Sequence, residues 1–121
     1  MKKDRRRETG RIGEQLAAQH LKEKGYTILE MNWHHPLGEL DLIAKKGDCL
    51  VIVEVRTTRS RNFGYGFQSI NCQKQQQVRK LALLYLQNGH FPDISFRIDV
   101  ISVLLASTDE PIQIDHLKGA F

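Results

Sequence analysis

Asp41 and Glu54 stand at the facing ends of two strand-like runs, Gly38-Glu39-Leu40-Asp41-Leu42-Ile43-Ala44 and Leu50-Val51-Ile52-Val53-Glu54-Val55-Arg56. Between the runs, Lys45-Lys46-Gly47-Asp48 has the composition of a hairpin turn. Acids in segments this apolar are costly to bury unless they are paired or hold a metal. Side chains alternate along a strand, which predicts that Glu39 shares a face with Asp41, and Glu54 with Arg56 on the next strand. A hairpin that joins those faces gathers carboxylates with a cation beside them. That set suits a hard divalent ion and its presentation to a phosphate.

The flanking sequence supplies elements to position this cluster. Residues 9 to 24 read as an amphipathic helix, with Ile12, Leu16, Ala17, His20 and Leu21 at three- and four-residue steps and Gly25 as its stop. Residues 26 to 31 read as a first strand ending near Asn32-Trp33, with His34-His35-Pro36 as a connection. Residues 57 to 67, rich in Ser, Thr, Arg, Asn and Gly, have the profile of a loop beside a functional site. A second helix is predicted over 73 to 87, with Val78, Leu81, Ala82, Tyr85 and Leu86 on its apolar face. Strands are expected over 95 to 105 and, briefly, 112 to 114. Arg97 and Asp99 point the same way on the former, as a pair bracing the core. The order α-β-β-β-α-β-β predicts helices packed on a mixed sheet.

At 121 residues the chain has room for one domain, taken as 9–121 behind a basic flexible tail, 1–8. No apolar stretch approaches membrane-spanning length. Cys49 and Cys72 lack metal-binding or redox spacing, so a reduced, cytoplasmic protein is expected. A net charge of +4 and a pI near 9.2 favour a polyanionic partner. The charge gathers in Lys2, Lys3, Arg5, Arg6 and Arg7, in Arg56, Arg59 and Arg61, and in Lys74, Arg79 and Lys80. Arg5, Arg6, Arg7, Arg59, Arg61 and Lys74 are accordingly the expected nucleic-acid contacts. Adjacent strand residues face opposite sides, so His34-His35 reads as loop histidines rather than a metal pair. Trp33 and Tyr65 could stack on bases, though single aromatics near loops more often belong to the core.

A helix with Gly-x-x-Gly-Glu, then Asp, then Glu-x-Arg thirteen residues on, resembles the PD-(D/E)xK nuclease core. Within that superfamily the chain resembles the YraN family, small bacterial proteins similar in turn to archaeal Holliday-junction resolvases. The residues that carry the likeness are Gly10, Gly13 and Glu14; Asn32; Gly38 to Ile43; Val53-Glu54-Val55-Arg56; Lys74; Arg97, Asp99 and Val100; and Ala120-Phe121. The resemblance implies a restriction-endonuclease-like α/β (α+β) fold with Asp41 and Glu54 as metal ligands and Glu14 as a helix-borne third acid. Mg2+ or Mn2+ is the implied cofactor, and the main-chain carbonyl of Val55 completes a partial shell of the kind Mg2+ prefers. DNA, branched or otherwise structured, is the implied substrate, and a homodimer is compatible with it.

One position departs from the superfamily pattern. Arg56 stands where a lysine is usual, and a guanidinium does not lose its proton, its pKa lying above roughly 12. Arg56 could still stabilise charge on phosphate. Lys74, at the start of the second helix, is the candidate to supply the missing amine. Two functions are therefore carried forward. One is a metal-dependent DNA endonuclease using Glu14, Asp41, Glu54, Arg56 and Lys74; the other is a nucleic-acid-binding protein of the same fold without efficient cleavage.

Overall fold

The computed structural model describes residues 5–59, 70–89 and 94–121 and has the predicted order of elements. These are α1 (Arg6–Glu23), β1 (Thr27–His35), β2 (Gly38–Lys46), β3 (Cys49–Thr58), α2 (Cys72–Asn88), β4 (Ser95–Leu105) and β5 (Pro111–Leu117). The strands form one mixed sheet in the order β1-β2-β3-β4-β5. Only β3 and β4 run parallel, in register from Cys49↔Ser95 to Thr58↔Leu104, and α2 lies in the crossover between them. Central β3 has both faces covered, which is why Leu50, Val51, Ile52 and Val53 form an unbroken apolar run.

The two faces carry separate cores. Under α1, Ala17, Ala18 and Leu21 pack with Leu42, Ala44, Val51, Val53, Ile101 and Val103. Under α2, Val78, Leu81 and Ala82 pack with Leu40, Ile43, Leu50, Ile52 and Ile98. Among the described residues, no helix is long and apolar enough to cross a membrane.

Four boundaries differ from expectation. Helix α1 begins at Arg6 rather than at residue 9, because Thr9 N–H already donates to Arg5 O at 2.8 Å. Arg6, Arg7 and Glu8, expected in the tail, form its first turn, where an Arg5–Glu8 ion pair supports it. Strand β1 runs on to His35, since pairing with β2 continues through His34↔Glu39 and His35↔Gly38. As an edge strand it accepts solvent-facing histidines. Strand β3 reaches Thr58, so the expected loop starts later; its residues 60–67, with Arg61 and Tyr65, lie outside the described residues. Strand β5 covers 111–117 rather than only 112–114, its polar Asp115 and His116 masking its full length from a reading based on apolar runs.

Asp99 ties the last strands together. It is fully buried, and its carboxylate accepts from Arg97 Nε (3.0 Å) and Gly119 N–H (2.9 Å) and contacts His116 Nε2 (2.7 Å). Arg97 also donates to the Tyr26 hydroxyl at 2.7 Å. Burial alone would push the Asp99 carboxyl up, but the bonds to His116, Arg97 and Gly119 outweigh it and hold it below the ordinary carboxylate value. The expected Arg97–Asp99 pair is present, with two further partners.

Gly13 sets how closely α1 approaches the sheet. A Cβ there would lie 2.8 Å from both Cβ and Cγ2 of Thr57 on β3, closer than carbon atoms pack. Gly13→Ala is therefore expected to destabilise the protein by about 1–3 kcal/mol through overpacking. Adding Thr57→Ala should recover part of the loss. Urea denaturation of the parent, the single variant and the double variant measures both, and a Gly13→Ala variant as stable as the parent would refute the close contact.

Candidate active site

The two strands of the β2–β3 hairpin part company at their open end. β2 pairs with β3 only from Lys46↔Cys49 to Leu42↔Val53. Beyond that point β2 stays with β1 to His35↔Gly38, and β3 stays with β4 to Thr58↔Leu104. Asp41 and Glu54 are the next residues after the last pair. Here backbone N–H groups of both strands are met by carboxylates. Val55 N–H donates to Asp41 Oδ2 at 2.9 Å, and Asp41 N–H to Glu54 Oε2 at 3.4 Å. Each acid thus caps the opposite strand, which fixes both carboxylates at the fork.

Glu54 follows Leu50 and Ile52 on the face covered by α2, and only 3% of it is exposed. Lys74 reaches it from that helix, with Nζ 3.4 Å from Glu54 Oε1. Its backbone is anchored in turn, because the Asn71 side chain caps α2 by accepting from Lys74 N–H at 2.9 Å. One turn on, Gln77 donates to Leu37 O at 3.2 Å and holds α2 against the β1–β2 connection. Gly38 permits this approach. It has φ +151°, and a Cβ there would come within 2.8 Å of Gln77 Nε2 and 3.0 Å of Leu81 Cδ1. Asn71, Gln73, Lys74 and Gln77 line a polar cavity of about 480 Å³ beside the fork.

The third acid arrives from the other face. Glu14, next to the Gly13 contact on α1, lies close enough to Asp41 for the Asp41 charge to push its carboxyl up. Asn32 on β1 completes this side. Its φ of +54° is unusual for a non-glycine residue, and it lies between the pairs Met31↔Leu42 and Trp33↔Leu40. With its NH2 turned towards the acids, Asn32 donates to Glu14 Oε1 at 3.2 Å and to Glu39 Oε1 at 3.1 Å. The strict alternation predicted along β2 also fails here. Leu40 packs under α2 with Ile43, whereas Leu42 packs under α1. The break falls opposite the left-handed Asn32 on the neighbouring strand.

Electrostatically the cluster is under-compensated. Burial first, and then the Asp41 charge, push the carboxyls of Glu14 and Glu54 up to about 7. Burial also raises Asp41, against the opposing pull of the Val55 N–H and Lys74. Among the described residues, no three His, Cys, Asp or Glu side chains close into a metal cage. The donor set is instead two fixed carboxylates with a third beside them and one ammonium, an open arrangement short of positive charge. It fits a divalent cation that keeps several waters.

The remaining predicted residues lie apart from this centre. Arg56 is two positions along β3 from Glu54, and its Nε is buried without a hydrogen-bond partner among the described residues. Arg59 donates to Thr9 Oγ1 (2.8 Å) and Ala106 O (3.1 Å) and pairs with Asp109, which Arg5 also holds at 3.0 Å. Both arginines thus brace α1 against the β4–β5 turn. Arg6 and Arg7 are exposed on the first turn of α1. Trp33 packs edge-on against Tyr85, and His35 stacks on Trp33. Asn32 is among the residues that carry the family likeness, yet its type and position in the sequence assign it no task. An Asn amid strand-forming residues was the available signal, since few other side chains tolerate a left-handed backbone.

A stability test follows from the raised pKa values. In the unfolded chain Glu14 and Glu54 titrate near 4.5, and in the folded chain near 7. Between those values the native state retains protons that the unfolded state has released, so stability falls as pH rises through the window. Without metal, Tm is expected to drop from pH 5 to pH 8, and Glu54→Gln to flatten that decline. An unchanged slope in Glu54→Gln would show that Glu54 is not the strained acid.

A family model described as "Uncharacterised protein family UPF0102" matches residues 13–103, a span that includes Glu14, Asn32, Asp41, Glu54 and Lys74. A UPF0102 protein of Syntrophomonas wolfei is 46% identical over 117 residues, covering 95% of this chain and 98% of its own. One from Renibacterium salmoninarum is 40% identical over 112 residues, covering 93% and 94%. One from Dictyoglomus turgidum is 35% identical over 115 residues, covering 95% and 98%. The YraN resemblance read from the motifs and these matches coincide, and the chain belongs to the UPF0102 family.

Proposed function

We propose that the protein is a Mg2+- or Mn2+-dependent phosphodiesterase that cleaves DNA. The observation that carries this reading is the strand fork, where Asp41 and Glu54 are fixed by each other's backbone and left short of positive charge. Asp41, Glu54 and the Val55 carbonyl would hold the ion, with Glu14 beside Asp41 to orient water. The ion supplies charge neutralisation at phosphate and acidifies bound water. The chain's own groups do the rest. Lys74 sits 3.4 Å from Glu54 and, among the described residues, is the nearby cation able to give up a proton, so it takes the part of the motif lysine. Arg56, two positions along β3 from Glu54 and only partly buried, would offer its guanidinium to a phosphate oxygen. The basic balance of the chain and exposed Arg7, Arg79 and Lys80 favour a phosphate-rich partner. A second reading, DNA binding without efficient cleavage, rests on arginine in place of lysine at position 56.

The two readings separate in single-turnover cleavage of a branched DNA with Mn2+. Lys74→Ala is expected to slow cleavage by about 100-fold or more, the loss typical of a proton-transfer group, while Arg56→Lys remains active. Asp41→Ala should abolish cleavage and stay folded. A parent that binds DNA with a steep salt dependence but does not cut would support the second reading. Equal cleavage by Asp41→Ala would point to a contaminant and remove the enzymatic reading.

A further inference from the structure

We propose that Asn32 is a positioning residue that holds Glu14 against Asp41 for divalent-ion binding; this inference rests on the metal-dependent reading above. Asn32 sits in a left-handed conformation within a strand, at φ +54°. A conformation of that kind is disfavoured and persists where the surroundings enforce it, typically at functional sites. Here it turns the side chain out of the β1 ladder and aims the amide at two acids. One, Glu14, belongs to α1 and the other, Glu39, to β2, with donor distances of 3.2 and 3.1 Å. A single neutral group therefore links three elements around the fork.

Neutrality is the useful property. A lysine or arginine in this place would bind the carboxylates more strongly, but its charge would repel an incoming cation. An amide fixes the acids and leaves their charge available. Asn also combines two features that no other residue supplies together: tolerance of positive φ and an NH2 with two hydrogens for two acceptors. Glycine would satisfy the backbone alone. Glu39, 42% exposed and within 3.9 Å of His34, acts as the outer anchor of the amide. Glu14 is then the acid that Asn32 delivers to the centre.

The test uses the full chain, calorimetric titration with MnCl2 and thermal unfolding. Asn32→Gly keeps the backbone conformation and removes the amide. It should fold, melt no lower than the parent and bind Mn2+ about 10- to 100-fold more weakly, the usual loss on removing an outer-shell partner. Asn32→Ala should bind as weakly but melt lower, because it retains the backbone strain. Glu14→Gln should weaken binding comparably, and Asn32→Gly added to it should cost nothing more. Full Mn2+ affinity in Asn32→Gly, or losses that add in the double variant, would overturn the inference and reduce Asn32 to a backbone device. A parent that binds no Mn2+ would instead remove the metal-dependent reading, and this inference with it.

Discussion

The separation of β2 from β3 beyond Leu42↔Val53 is the constraint on which the site depends. Past that pair the Asp41 and Val55 N–H groups are met by side chains and not by carbonyls of the facing strand. Because the strands diverge, each commits to its outer neighbour, and the inner edges of both must find other acceptors. Buried N–H groups do not remain unpaired. The carboxylates of Asp41 and Glu54 meet that need, so the acids are part of how the fork is closed. Fold and chemistry meet in the same two bonds.

The sheet buries two kinds of acid, and the difference is informative. Asp99 is fully enclosed yet receives Arg97, His116 and a backbone N–H, and its affinity for a proton is lowered. Glu54 is nearly as enclosed but meets one lysine and another acid's backbone, and its affinity for a proton is raised. Burial is common to both, so it does not mark function by itself. What separates them is how completely the charge is answered. A satisfied network rigidifies, whereas an unsatisfied one retains capacity for a ligand.

Much of this was legible in the sequence. Acids inside apolar runs singled out Asp41 and Glu54, the three- and four-residue periodicities gave both helices, and the family resemblance pointed to Glu14. Lys74 could be named but not placed, because its reach to Glu54 depends on the crossover and on the Asn71 cap. Other features were hidden by their dependence on distant chain. The β5 edge strand was expected, but its full length is set by pairing rather than by apolar pattern. Arg59 looked like a phosphate contact because its partners, Thr9, Ala106 and Asp109, are remote in sequence. Asn32 was hidden because a left-handed residue breaks the alternation on which strand reading relies.

The contact between Gly13 and Thr57 has a mechanical consequence. A helix resting on a sheet through ordinary side chains can roll or slide until its packing is satisfied. Here backbone meets side chain without a spacer, which turns one point of the helix into a fulcrum. Adjacent helical residues are separated by about 100° of rotation, so fixing the azimuth at Gly13 fixes it for Glu14 as well. The Glu14 carboxylate is thereby aimed by a residue that has no side chain, and its angular tolerance is set one residue away, about a quarter-turn around the helix.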